Sequence, residues 1–234
     1  MKTKMKFLII AVCGLLCLFL TTSLAQLDAH KYVITSSTVA KLKVAATTNQ
    51  IFVVSTKKYK NRQGTFYYFK KVNNTWIKIF SCTCQLGKDG MGEGKEGGKK
   101  TPIGIYHFQK LLGIASNPGT VMDYHQIDGN DYWCGGTYYN QFVDEDVTDH
   151  SACTKTKDEH LIHYKKCYQY IAAFDYNSSC IPGKGSAYFL HCNGSTGYTL
   201  GCIALPYARM KQVMRVIDSQ TVLLVNRYDK IKDD

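Results

Sequence analysis

A chain of 234 residues, 45% of them hydrophobic and 12% aromatic, is long enough to bury a sizeable core and too apolar for intrinsic disorder. Its 29 basic and 18 acidic residues give a net charge of +11, which excludes an acidic solvating chain and points to anionic partners. No proline-rich linker, low-complexity segment or internal repeat divides it.

The N-terminus begins with the basic run Met1-Lys-Thr-Lys-Met-Lys6, continues through apolar residues 7–20, and reaches small residues at Ser23-Leu-Ala25. This is the pattern of a secretory signal peptide, with cleavage expected between Ala25 and Gln26. The apolar run falls short of the roughly eighteen residues that span a bilayer, so no stable membrane span is expected there or later. Residues 26–234 are then read as one domain. The charge loses Lys2, Lys4 and Lys6 with the signal and stays basic. In a secreted chain that favours anionic cell-wall polymers or membranes, and nucleic acid is the weakest of the partners.

Cleavage also removes Cys13 and Cys17, leaving Cys82, Cys84, Cys134, Cys153, Cys167, Cys180, Cys192 and Cys202. An even set in an oxidising compartment reads as a disulfide framework. If Cys202 is a nucleophile, a second cysteine must also stay free, and Cys192 is the best candidate. The sequence does not choose among pairings of the other six. Cys82-x-Cys84 and His160-x-x-His163 are close pairs, but no Cys-x-x-Cys occurs, and neither a metal nor a cofactor is expected.

Residues 33–80 read as strands. Residues 51–55 are β-branched and aromatic, and residues 65–72 and 76–80 flank Asn73-Asn74, a hairpin turn signal. Interleaved Lys, Tyr and Phe there fit a half-buried hairpin better than a nucleic-acid platform. The run from Gly87 to Lys100 fails as a phosphate loop, because Gly98 stands where the lysine belongs and Lys99 is followed by Lys100. Residues 103–108 alternate as a strand. Residues 124–157 are aromatic, polar and without helical periodicity, and so read as a long loop that could cover a substrate. Residues 168–175 and 187–191 are apolar runs of strand length. After Pro206, Met210, Val213, Met214 and Ile217 share a helical face, and residues 221–225 close the domain as a strand. Asn73, Asn177 and Asn193 head glycosylation sequons. Occupancy at Asn193 would crowd the loop that follows His191.

That loop joins the two residues with the chemistry. His191 ends a buried strand, a glycine-rich stretch follows, and Gly201-Cys202 leads into an apolar segment. A thiol attacks only as thiolate, and an imidazole within reach supplies the base. Gly201 carries no side chain, so a substrate carbonyl could approach the backbone N–H groups of an oxyanion hole. Alternation along the strand puts Phe189 and His191 on one face and Leu190 and Cys192 on the other, which makes Cys192 structural or idle.

The order of strand, His-x-x, loop and Thr199-Leu-Gly-Cys-Ile203 resembles the L,D-transpeptidase (YkuD-like) catalytic domain. Gly87-Lys-Asp-Gly-Met-Gly92, Gly97-Gly-Lys-Lys-Thr-Pro-Ile-Gly104, Tyr106-His-Phe108, Asp131-Tyr-Trp133, Tyr138-Tyr-Asn140 and Pro182-Gly-Lys-Gly-Ser186 follow in register, so the resemblance covers about residues 51–225. Many members carry a second His before Gly-Cys and an Arg two residues after the Cys; here Leu200 and Ala204 stand there. The resemblance implies a mainly β, mixed β-sandwich with one or two short helices, and acyl transfer on peptidoglycan stem peptides or muropeptides. It implies Cys202 as nucleophile, His191 as base, Gly201 at the oxyanion hole, and a backbone carbonyl beside Thr199 as the third member. It also implies substrate contacts from Tyr198, Lys184 and Gly185. A hydrolase of the same fold that trims wall peptides is the alternative, and an inactive wall-binding module the second.

Overall fold

The computed structural model describes residues 32–151 and 157–231. The proposed signal peptide lies outside these residues. The described residues from Thr35 onward form one compact unit, and no described helix is long and apolar enough to cross a membrane.

The unit begins with a short helix, α1 (Ser36–Ala40), where the sequence had suggested only strands. Its cause is local: the Thr35 hydroxyl accepts the Thr38 N–H and the Thr38 hydroxyl answers the Thr35 N–H, a capping box made by threonine where glutamate or glutamine is usual. A 3-10 turn over Lys43–Ala46 follows. Then β1 (Gln50–Thr56) is buried along its whole length, because it lies between β2 (Gln63–Val72) on one side and the C-terminal strand on the other. Strand β2 turns through Asn73 and Asn74, both left-handed at φ 47° and 59°, into β3 (Thr75–Gln85). Two successive positive φ values are what a type I′ hairpin requires, and asparagine tolerates them.

After the two-residue strands β4 (Met91–Gly92) and β5 (Thr101–Pro102) comes β6 (Gly104–Gly113), longer than its alternating pattern foretold. Residues 124–160 contain β7 (Tyr124–Gln126), β8 (Asp131–Cys134), β9 (Gln141–Asp144) and β10 (Glu159–His160). The expectation of a strandless loop over residues 124–157 is therefore corrected, since β8 pairs with both β9 and β10 in a small antiparallel sheet. Strands of two to four residues are too short for alternation to register in sequence. The chain ends with β11 (Ile171–Phe174), β12 (Phe189–Cys192), β13 (Ile203–Leu205), α2 (Tyr207–Met214) and β14 (Val222–Arg227).

The large sheet runs β11-β12-β13-β3-β2-β1-β14-β6-β7 and is mixed, with β1–β14, β12–β13 and β6–β7 parallel. Strand β6 serves both ends of it: Gly104–His107 pair with β14, while Phe108–Leu112 pair with β11. The sheet thereby doubles back on itself as the expected mixed β-sandwich. Phe52, Phe66, Leu190, Ile203 and Leu223 fill the space between, and Met210, Val213, Met214 and Ile217 close it from α2 and the turn after it. A second core around Phe189, Tyr168, Trp133 and Leu161 joins the small sheet to the large one.

Candidate active site

Four consecutive buried residues form β12, and alternation divides them between the two cores. Leu190 and Cys192 enter the first; Phe189 enters the second, and the His191 ring meets Tyr168 edge-on at 5.6 Å on that side. Parallel pairing of His191 with Ala204 then sets Cys202, two residues before Ala204, beside the same cleft. Both residues line a cavity of about 490 Å³, with Tyr198, Thr199, Gly201 and Glu159 also on its wall. Ten intervening residues are thus folded back by one strand pairing.

Cys202 is half-buried, its Sγ donating to the Ala187 carbonyl at 3.2 Å and accepting the Phe189 N–H at 3.3 Å. Burial pushes its thiol well up, the Glu159 carboxylate adds to this, and the Phe189 N–H opposes it. His191 is buried, and burial lowers its imidazole to about 4, against the smaller opposing effect of its hydrogen bond to Cys192. The resting pair is therefore neutral thiol and neutral imidazole, and no hydrogen bond joins them among the described residues. The His191 ring has a fixed tautomer. Its Nδ1 lies 2.7 Å from the Cys192 carbonyl, which can only accept, so Nδ1 carries the proton and Nε2 keeps its lone pair.

The turn before Cys202 is tied from three sides. The Thr199 hydroxyl donates to the Cys202 carbonyl at 2.6 Å and accepts the Gly201 N–H at 3.1 Å. Thr101, wholly buried in β5, donates to the same Cys202 carbonyl at 3.2 Å. Gly201 has φ +143°, and a Cβ there would come within 2.5 Å of the Tyr188 ring, so glycine is required by the protein's own packing.

Three of the expected site features have other partners or surroundings. The carbonyl that orients His191 is that of Cys192, while the Thr199 carbonyl is taken by the Lys88 N–H at 2.9 Å. The Gly201 N–H is engaged by Thr199 and is not a free oxyanion donor. Lys184 is exposed and borders a separate hollow with Tyr176 and Asn177, and Gly185, at φ +103°, donates its N–H to the Tyr139 hydroxyl instead of lining the cleft. Tyr198 does line it, beneath the charges of Arg62 and Lys88 at 5.7 Å each. Cys192 is buried in the core, and burial pushes its thiol up to about 12. Among the described residues no disulfide joins any two of the seven cysteines. Asn193 is half-buried, with its Oδ1 enclosed and unpartnered.

Sequence reasoning missed Glu159 and Tyr168. The Tyr168 hydroxyl donates to Glu159 at 2.6 Å, and burial holds the Glu159 carboxyl above its usual range. Nothing in Asp158-Glu-His160 marks the glutamate as more than a surface charge. Because its charge opposes thiolate at Cys202, Glu159→Gln is expected to speed alkylation of Cys202 by iodoacetamide about 3- to 10-fold at pH 9. An unchanged rate would show that the carboxylate does not act on the thiol.

A family model described as the L,D-transpeptidase catalytic domain matches residues 49–225. No curated protein matches the chain. Among solved structures it is similar to Bd1075 of Bdellovibrio bacteriovorus, at 16% identity over 77% of this chain and 49% of that one, with a TM-score of 0.42. It is also similar to the helical cell shape determining protein Pgp2 of Campylobacter jejuni, at 16% identity over 79% of this chain and 48% of that one, TM-score 0.41. The Ldtfm-avibactam carbamoyl enzyme matches at 12% identity over 76% and 49%, TM-score 0.35. The chain spans about half the length of these proteins.

Proposed function

Because the chain belongs to the L,D-transpeptidase catalytic domain family, we propose that it is a cysteine acyltransferase that forms or exchanges peptide links in peptidoglycan. The observation that carries this reading is the hydrogen bond from His191 Nδ1 to the Cys192 carbonyl, which leaves Nε2 as a base in the cleft that holds Cys202. The Cys202 side chain turns from the Ala187 carbonyl toward His191, gives its proton to Nε2, and attacks the carbonyl of an L,D peptide bond in a stem peptide. With the Gly201 N–H engaged, we assign the oxyanion to the Cys202 N–H. The imidazolium returns the proton to the departing amine, leaving a thioester on Cys202. An amine acceptor then yields a cross-link, and water yields hydrolysis.

Such chemistry needs no cofactor. It places the protein outside the cytoplasm, in keeping with the leader-like residues 1–25, and its basic charge suits anionic wall polymers beside the stem peptides. Purified muropeptides, incubated with and without an amine acceptor, test the reading. The expected product is a cross-linked or exchanged peptide that depends on the acceptor. A shortened stem alone would replace transfer with hydrolysis, and no change would leave a wall-binding module.

A further inference from the structure

Behind the cleft, on the small sheet, three side chains of different chemistry converge. Cys134 ends β8, His150 follows β9 and Asp158 immediately precedes β10; one donor atom from each lies within 4.8 Å of the other two. We propose that these three residues bind a divalent transition ion of the zinc class, which fastens the small sheet against the cleft.

The cluster is buried. Cys134 is inaccessible, and the side chains of His150 and Asp158 are 1% and 0% exposed. A carboxylate is costly to bury unless it is paired and hydrogen-bonded. Yet His150 Nε2 and Asp158 Oδ2, only 2.8 Å apart, both lack a hydrogen-bond partner, so their contact is close in distance and misdirected in angle. Two buried atoms in contact without a hydrogen bond, both within 4.8 Å of a sulfur, are what an ion would reconcile. Ligands 2.0 to 2.3 Å from one zinc ion stand about 3 to 4 Å from each other.

Each ligand also has an outer partner. His150 Nδ1 is 2.9 Å from Glu145 Oε1, which turns Nε2 toward the cluster. Asp158 Oδ1 accepts the Gly135 N–H at 2.6 Å, and Cys134 Sγ accepts the Gly136 N–H at 3.3 Å. A thiolate with an imidazole selects zinc-like ions over magnesium or calcium. These are not the close cysteine and histidine pairs that sequence spacing offered.

The position gives the ion a task. Trp133, before Cys134, packs edge-on against Phe189 at 4.7 Å, and Asn140 accepts the Ala187 N–H at 3.2 Å. Glu159, after Asp158, lines the cleft. An ion joining Cys134 to Asp158 holds β10, which brings Glu159 to the wall of the Cys202 pocket, against β8, which carries Trp133 onto Phe189.

Metal analysis of the full chain, purified without chelator and supplied with zinc, should find about one zinc per chain. Replacing it with cobalt should give a visible spectrum with a sulfur-to-cobalt charge-transfer band. His150→Gln and Asp158→Asn should each retain under about a tenth of the zinc, and Glu145→Gln should weaken binding about 10- to 100-fold. A second cluster, His125 with Asp131 and Asp144, makes His125→Gln the necessary control, expected to keep its zinc. Should a ligand variant fail to fold, cobalt titrated into stripped parent protein answers the same question through the charge-transfer band. No bound zinc and no such band, zinc lost with His125→Gln and kept with His150→Gln, or Cys134 recovered in a disulfide on non-reducing peptide mapping would each overturn the proposal.

Discussion

Cys202→Ala is expected to abolish the covalent adduct formed with a carbapenem, read by intact mass, and to lower stem-peptide turnover by about 10³-fold or more. The size follows from the role: a nucleophile that carries the acyl group has no substitute once its sulfur is gone. The fold should persist, because the substitution keeps the Cβ against the second core and removes the Ala187 and Phe189 hydrogen bonds of a half-buried thiol, a loss of about 1 kcal/mol. Cys167 lines the same cavity and makes the informative control, since Cys167→Ser should keep the adduct. Cys192→Ser should keep it as well, the thiol being enclosed in the opposite core. An adduct that survives Cys202→Ala would reassign the nucleophile, with Cys167 the first to test.

His191→Ala is expected to lower acylation of Cys202 by about 10²- to 10⁴-fold near neutral pH. The pH profile carries more information than the loss itself. Burial lowers the imidazole to about 4, so above that pH His191 is neutral and ready to take the thiol proton; below it, protonation removes the base. The parent's kcat/KM should therefore hold down to about pH 4 to 5 and fall as pH drops through about 4, where an ordinary histidine would lose activity near 6.5. The variant should lack that limb and recover part of its rate as alkali ionises the thiol directly. Equal rates in both proteins from pH 5 to 8 would remove His191 from the reaction.

Much of the frame was legible because its causes are local. The β2–β3 hairpin follows from two asparagines that accept positive φ, and α2 from apolar residues on one helical face. The opposed faces of His191 and Cys192 follow from the pleat of a single strand. The motif around Cys202 carried the family. Less local features stayed hidden. Threonine at the third helical position obscured the cap of α1, and β10, two residues long, has no pattern of its own.

Which groups meet is set only when the chain closes into its fold. Thr101 reaches the Cys202 carbonyl across 101 positions, and Glu159 comes to the thiol because Asp131–Cys134 pair with a strand more than twenty residues away. The partner of His191 is a neighbouring carbonyl, while the Thr199 carbonyl is bonded by Lys88, more than a hundred residues earlier. Periodicity and turn chemistry act over a few residues, so the longer strands, the β2–β3 hairpin, α2 and the motif were legible in the chain alone. Hydrogen-bond partners and burial are set when distant strands close around a shared core, and they shifted His191 and Cys202 away from the ionisation that their residue types alone would predict.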